Sequence, residues 1–181
     1  MTLTTKLFFA GSGGQGILLM GQLITYAAML EDKQVTFLPS YGPEMRGGTA
    51  NCTVVVSDRQ ISSPLIYEAD VVVAMNLPSL TKFESLVKPG GKLFYDTSLI
   101  DIKPTRDDIE SYGLDADDIA VEVGNRRTAN IVMLGEIVRR TGVVREESVE
   151  AMLHKVFSGK KAALFEVNHN AFGASATCHH S

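Results

Sequence analysis

Leu7-Phe8-Phe9-Ala10-Gly11-Ser12-Gly13-Gly14-Gln15-Gly16, running on into Ile17 to Leu30, decides the fold. A short apolar run that ends in a glycine cluster predicts a buried strand followed by a tight turn. The stretch after it has apolar residues on most faces and good helix formers throughout, which predicts a helix packed on a sheet. Strand, glycine turn and helix in that order open an α/β fold.

Working outward, Gln34 to Leu38 reads as a second strand stopped by Pro39, and Ser40 to Gly48 as a loop rich in Gly, Pro and polar groups. Thr49 to Ser57 is β-branched and predicts a strand, with Asp58-Arg59-Gln60 turning into Ile61-Ser62 as an inserted antiparallel hairpin. Ala69 to Met75 carries the continuous Val-rich pattern of a parallel strand buried on both faces. Asn76 is placed to cap a helix with Pro78 in its first turn, ending near Val87. Lys88-Pro89-Gly90-Gly91 is a turn signal, Lys92 to Asp96 a further strand, and Ile119 to Val123 one more. Helices are expected from Ala129 to Thr141, with Arg139 and Arg140 in the last turn and Gly142 after it, then from Glu146 to Phe157 and from Ala162 to about Ala171. The sum is a three-layer α/β/α Rossmann-like sandwich with a mostly parallel sheet. We expect one domain over residues 1–172 and a mobile tail over 173–181.

Composition narrows the function classes. The chain has 181 residues, of which 45% are hydrophobic and 21% charged, enough apolar material for a core without staples. No apolar run is long enough to cross a bilayer, and Met1 to Lys6 shows no secretory pattern, so a cytoplasmic protein is expected. The net charge of −4 comes with no basic stripe, which argues against nucleic acid. Arg126-Arg127, Arg139-Arg140 and Lys160-Lys161 read as helix ends or solvated faces. Cys52 and Cys178 lie far apart, with no C-x-x-C pair, whereas an iron–sulfur cluster uses four closely spaced thiolates. The four histidines (His154, His169, His179 and His180) gather toward the C-terminus and make no zinc pattern. Neither a metal nor a redox centre is expected in this chain, and Cys52 reads as a small buried hydrophobe.

Gly11-Ser12-Gly13-Gly14-Gln15-Gly16 matches G-x-G-x-x-G in its proper strand-to-helix setting. Such a loop lets backbone N–H groups and a helix N-terminus approach a phosphate. It serves equally as a tight turn that packs helix on sheet or meets another subunit's backbone, and both roles stay open. A nicotinamide-binding unit needs an acid at the end of the second strand for the ribose. Here that strand ends in Leu38-Pro39-Ser40, which weakens the nicotinamide reading.

The second loop, Ser40-Tyr41-Gly42-Pro43-Glu44-Met45-Arg46-Gly47-Gly48-Thr49-Ala50-Asn51, brings Tyr41, Glu44 and Arg46 to the C-terminal edge of the sheet. An arginine there can clamp a carboxylate or phosphate, and Tyr with Arg makes a good interface anchor. Gly11 to Gly16, Ser40 to Thr53, Ile61 to Pro64, Ala69 to Ser79, Val87 to Asp96 and Thr128 to Gly142 together resemble the gamma subunits of 2-oxoacid:ferredoxin oxidoreductases. The Ser40 to Cys52 string is most similar to the 2-oxoglutarate type, with the pyruvate and 2-oxoisovalerate types next.

The resemblance implies a non-catalytic subunit, inactive alone, of a complex that decarboxylates a 2-oxoacid on thiamine diphosphate, reduces ferredoxin and forms an acyl-coenzyme A. Thiamine diphosphate, magnesium and the iron–sulfur clusters would belong to thiamine-binding and ferredoxin-like partner subunits. For this chain it implies a role in assembly and in binding coenzyme A at a shared site, through Gly11, Ser12, Gly13, Gly14, Gln15, Gly16, Tyr41, Glu44, Arg46 and Asn76. No catalytic residue is expected. A homodimer stays open. The competing reading is a stand-alone binding module for a phosphorylated small molecule.

Overall fold

The computed structural model describes residues 3–40 and 49–177. The opening run forms β1 (Thr4–Ser12), and Ile17–Leu30 forms α1. Then come β2 (Gln34–Ser40), β3 (Thr49–Ser57), β4 (Ala69–Ala74), α2 (Leu77–Phe83), β5 (Val87–Asp96) and β6 (Glu110–Leu114). Helices α3 (Ala116–Val123), α4 (Ala129–Thr141), α5 (Glu146–Val156) and α6 (Phe165–Ala174) complete the chain. The strands make one sheet in the order β2-β3-β1-β4-β5-β6. From β1 through β6 the pairings are parallel, while β3 runs antiparallel to both β1 and β2.

Strand alternation sorts the side chains into two cores. Leu7 and Phe9 of β1, Val71 and Val73 of β4 and Phe94 of β5 face α1 and the α3–α6 group. Phe8, Ala10, Val72, Ala74, Leu93 and Tyr95 face the other way, onto Leu80 and Phe83 of α2 and onto Ile100. Helix α4 is buried without a break from Asn130 to Val138, because other helices wrap it on the side away from the sheet. The two outer layers are therefore unequal. Five helices, α1 and α3 to α6, stack on one face, and a two-turn helix with its following loop covers the other.

Several expectations change. The antiparallel hairpin is present, but its arms are β2 and β3, with Leu38 opposite Thr53; Ile61-Ser62 form no strand. Pro39 does not stop β2. It sits opposite Cys52 in an edge strand, where a missing N–H costs no ladder bond to a further neighbour. Lys88 to Gly91 lie inside β5 as an irregularity, with the register against β4 shifting between Ala69 and Val71. Gly90 there has φ 77° and donates its N–H to Asp108 O at 2.8 Å.

Ile119 to Val123 are helical rather than extended. Their β-branched residues are overridden by a strong helix start: Asp117 and Asp118 lie in the first turn, and the Asp96 carboxylate accepts the Ala116 N–H at 3.1 Å. The last strand is instead β6, whose polar sequence Glu-Ser-Tyr-Gly-Leu suits an edge. The tail boundary also moves, since Ser175–Thr177 continue as a 3-10 turn and Ser175 is buried. Residues 178–181, like Tyr41, Glu44 and Arg46, lie outside the described residues.

Candidate functional site

β1 sends its connection through α1 on one face, and β4 sends its own through α2 on the opposite face. The carboxyl ends of these two adjacent parallel strands are thus a topological switch point, where open α/β sheets bind ligands. The glycine loop lies there. Gly11 and Ser12 finish β1 opposite Ala50 and Thr49, Gly13 and Gly14 form an exposed turn, and Gly16 stands before α1.

Gln15 locks this turn. Its Oε1 accepts the Ser12 N–H at 2.7 Å, and its Nε2 donates to Met75 O at 2.9 Å, tying the loop to the end of β4. Gly16 has φ 71°, and its carbonyl accepts from Asn130 Nδ2 at 3.1 Å. A Cβ at Gly16 would lie 2.2 Å from that nitrogen, so the position demands glycine on both conformational and steric grounds. Helix α1 then starts with no side-chain cap and no acidic residue in its first turn, leaving its positive end open to an anion. Gly14, with φ 92° and nothing within 4 Å of where a Cβ would be, leaves its backbone accessible.

A cleft of about 210 Å³ opens beside the loop, lined by Gly14, Gln15, Met75, Asp96, Arg126 and Arg127, with Leu99, Asp117 and Ala129. Arg126 and Arg127 are presented by the short turn after Gly124, where Asn125 Oδ1 accepts the Arg127 N–H at 3.0 Å. Arg126 Nε pairs with Asp117 Oδ2 at 3.0 Å, whereas Arg127 makes no ion pair among the described residues. Asp96 is fully buried at the end of β5. Burial pushes its carboxyl above the ordinary range, opposed by the backbone N–H groups of Ser98 and Asp117. A larger groove of about 550 Å³ runs between Tyr26, Met29 and Leu30 of α1 and Met152, Lys155 and Val156 of α5, with a mostly apolar lining.

Of the sequence-derived candidates, Gly14 and Gln15 line the cleft, and Gly11, Ser12, Gly13 and Gly16 shape the loop behind it. Asn76 does not line it: its Oδ1 accepts the Ser79 N–H at 3.0 Å as the cap of α2. Met75 takes the place beside the loop. Tyr41, Glu44 and Arg46 fall in the segment outside the described residues, whose two anchors, Ser40 and Thr49, end β2 and begin β3 at the same edge. Asp96, Asp117, Arg126 and Arg127 were missed as site residues. The readable signal for Asp96 was an acid closing a predicted strand; Arg126-Arg127 carried none beyond charge.

Among the described residues no group of three or more His, Cys, Asp or Glu is arranged to hold a metal, and no helix is long and apolar enough to cross a membrane. Cys52 is buried, and burial pushes its thiol up to about 12. These residues do not fit an iron–sulfur cluster or the magnesium of thiamine diphosphate.

The family model for pyruvate ferredoxin/flavodoxin oxidoreductase matches residues 6–178. Ketoisovalerate oxidoreductase subunit VorA of Methanothermobacter marburgensis is 41% identical over 153 residues, covering 83% of this chain but 32% of VorA. The chain therefore spans about a third of the length of that relative. The 2-oxoglutarate synthase subunit KorC of Methanocaldococcus jannaschii is 38% identical over 154 residues, covering 83% of this chain and 82% of KorC. The keto/oxoacid ferredoxin oxidoreductase gamma subunit of Geobacter sulfurreducens superposes with a TM-score of 0.81 at 33% identity, over 94% of this chain and 95% of that one. With its fold, its glycine loop and its matched length, the chain belongs to the pyruvate ferredoxin/flavodoxin oxidoreductase family, as a domain of the gamma-subunit kind.

Proposed function

We propose that this chain is the gamma subunit of a 2-oxoacid:ferredoxin oxidoreductase and that its cleft receives phosphate groups of coenzyme A while partner subunits carry out decarboxylation and electron transfer. The observation that carries the coenzyme A reading is convergence. An uncapped helix N-terminus, an accessible glycine backbone and Arg127 meet at the switch point. Each favours a phosphoryl oxygen, and together they form a site of the size of a diphosphate rather than of a whole cofactor. Coenzyme A, when bound, supplies the thiol that accepts the acyl group. This chain's residues only hold and orient its phosphates. Arg46, which lies outside the described residues, would support that phosphate or a partner carboxylate.

The favoured oxoacid is 2-oxoglutarate, on the Ser40 to Cys52 string and the match to KorC over 82% of that subunit's length. The match to VorA supports 2-oxoisovalerate as the second reading. The test is anaerobic purification of the tagged chain from its native cells, followed by coenzyme A-dependent oxidation of each oxoacid. Activity co-purifying with thiamine-binding and cysteine-rich subunits supports the subunit reading, and the preferred oxoacid decides between the two. A chain that elutes alone and inactive overturns it in favour of a stand-alone phosphate-binding module.

A further inference from the structure

A surface helix of a globular domain keeps a polar, usually charged side toward solvent. Helix α1 does not: its 14 residues, Ile17–Leu30, include no Asp, Glu, Lys or Arg. Its inner side is spent on the core, through Met20, Leu23, Ile24, Ala27 and Ala28. Its outer side stays open at the C-terminal end, where Tyr26 is 46% exposed, Met29 57% and Leu30 52%. Met152 and Val156 of α5 face them across the groove of about 550 Å³. Among the described residues that line it, only Lys155 is charged. Aromatic and methionine side chains with few charges are what the buried centres of protein interfaces are made of, and methionine adapts to the shape it meets. An open apolar patch of this kind marks a contact surface.

The relatives indicate what covers it. KorC is matched over 82% of its length, whereas the same unit makes up only 32% of VorA. Contacts that VorA can make within one chain have to be made between chains where, as in KorC, the unit is most of a chain. We propose that the α1–α5 groove docks the partner subunit that corresponds to the rest of VorA, which presents apolar side chains to Tyr26, Met29 and Leu30 and a carboxylate to Lys155. A second copy of this chain suits the groove less well, because a twofold contact there would set two Lys155 ammonium groups against each other. The groove lies toward the far end of α1 from the glycine loop. At 1.5 Å per residue, Tyr26 to Leu30 stand about 15 to 21 Å along the axis from Gly16, so docking leaves the cleft free. This inference rests on the subunit reading and not on the coenzyme A reading.

The experiment places a photo-crosslinking amino acid at Met29, and in a second preparation at Tyr26, of the tagged chain, and irradiates the anaerobically purified complex. Mass spectrometry should find an adduct with a subunit larger than this chain. An adduct with a second copy, or none from either position in a complex that stays together, overturns the proposal and leaves the subunit reading intact. A chain that purifies without partners overturns both. Met29→Asp should weaken retention of the larger subunit about tenfold or more, since docking would bury a carboxylate against an apolar face. In the complex that remains, the KM for coenzyme A should be unchanged. A variant that keeps its partner and instead raises that KM overturns the proposal, because the groove would then serve the cofactor. The crosslink decides the matter even if Met29→Asp fails to fold.

Discussion

Glu31 and Asp96 are both buried carboxylates next to a helix N-terminus, yet they are treated in opposite ways. Glu31 stands at the end of α1, where its Oε1 accepts the Arg145 N–H at 2.6 Å and the Ser148 hydroxyl at 2.8 Å, and its Oε2 meets Lys33 Nζ at 3.1 Å. Burial alone would raise its pKa. The Arg145 N–H, the Ser148 hydroxyl and the Lys33 ammonium more than offset that and hold it at about 2. Asp96 has donors on one oxygen only, and there burial wins, so its carboxyl is pushed up. The corner where α1 meets α5 has every polar atom of the acid answered. The cleft keeps one unanswered, at a cost to stability.

Breaking the corner should have the largest effect. A carboxylate at about 2 in the folded chain against an ordinary 4.5 contributes about 3 kcal/mol at neutral pH. Glu31→Ala should lose about that much in urea unfolding at pH 7. Because the folded pKa is the depressed one, the contribution is complete above 4.5 and fades as pH falls toward 2. The gap between wild type and Glu31→Gln should therefore close over that window. A gap independent of pH would mean that packing, not the charge network, holds the corner.

The cleft responds next, through its backbone. Gly16→Ala forces an alanine to φ 71° and pushes a methyl into Asn130, whose bond to the Gly16 carbonyl it displaces. The left-handed penalty and the lost hydrogen bond together predict about 2 kcal/mol of destabilisation. Gly14→Ala shares the positive φ but meets open space, so it should cost about half as much. Equal losses at the two positions would show that the Asn130 contact carries no weight.

These contrasts also mark how far the sequence could be read. Helices α1 and α4 and strand β3 were legible to the residue, because each pairs a long consistent pattern with an unambiguous stop such as Gly142. Strand β6 and helix α3 were not, because their outcome is set from a distance: β6 is an edge defined by its partner β5, and α3 is started by Asp96. The site divided the same way. The glycine loop could be seen, since its turn geometry is local to six residues. Arg126, Arg127 and Asp96 come from separate parts of the chain and meet only when β5, α3 and the turn before α4 are assembled. Asn76 was recognised correctly as a cap, and that use of its Oδ1 is what takes it away from the cleft.

Asp96→Asn reverses the sign seen at the corner. A raised folded pKa means that the acid favours the fold when protonated, and that this preference is lost as pH rises through the raised value. Replacing the ionised group with a neutral amide of the same shape should leave stability at pH 7 unchanged or higher by up to about 1 kcal/mol. The two proteins should converge as pH falls through the raised value. A destabilised variant at pH 7 would show that the charge on Oδ1, shared among three N–H donors, outweighs the burial of Oδ2.

Arg127→Ala should move stability least and function most clearly. Its guanidinium is exposed and makes no ion pair among the described residues, so thermal unfolding should shift by less than about 0.5 kcal/mol equivalent. In the assembled complex the KM for coenzyme A should rise about tenfold with kcat nearly unchanged, the pattern of a group that binds the cofactor equally well before and during reaction. Arg126→Ala should give a smaller rise, because that arginine divides its charge with Asp117 at 3.0 Å. A fall in kcat without a change in KM would place Arg127 at a subunit contact that aligns the catalytic partner, and the cleft would then be facing protein rather than phosphate.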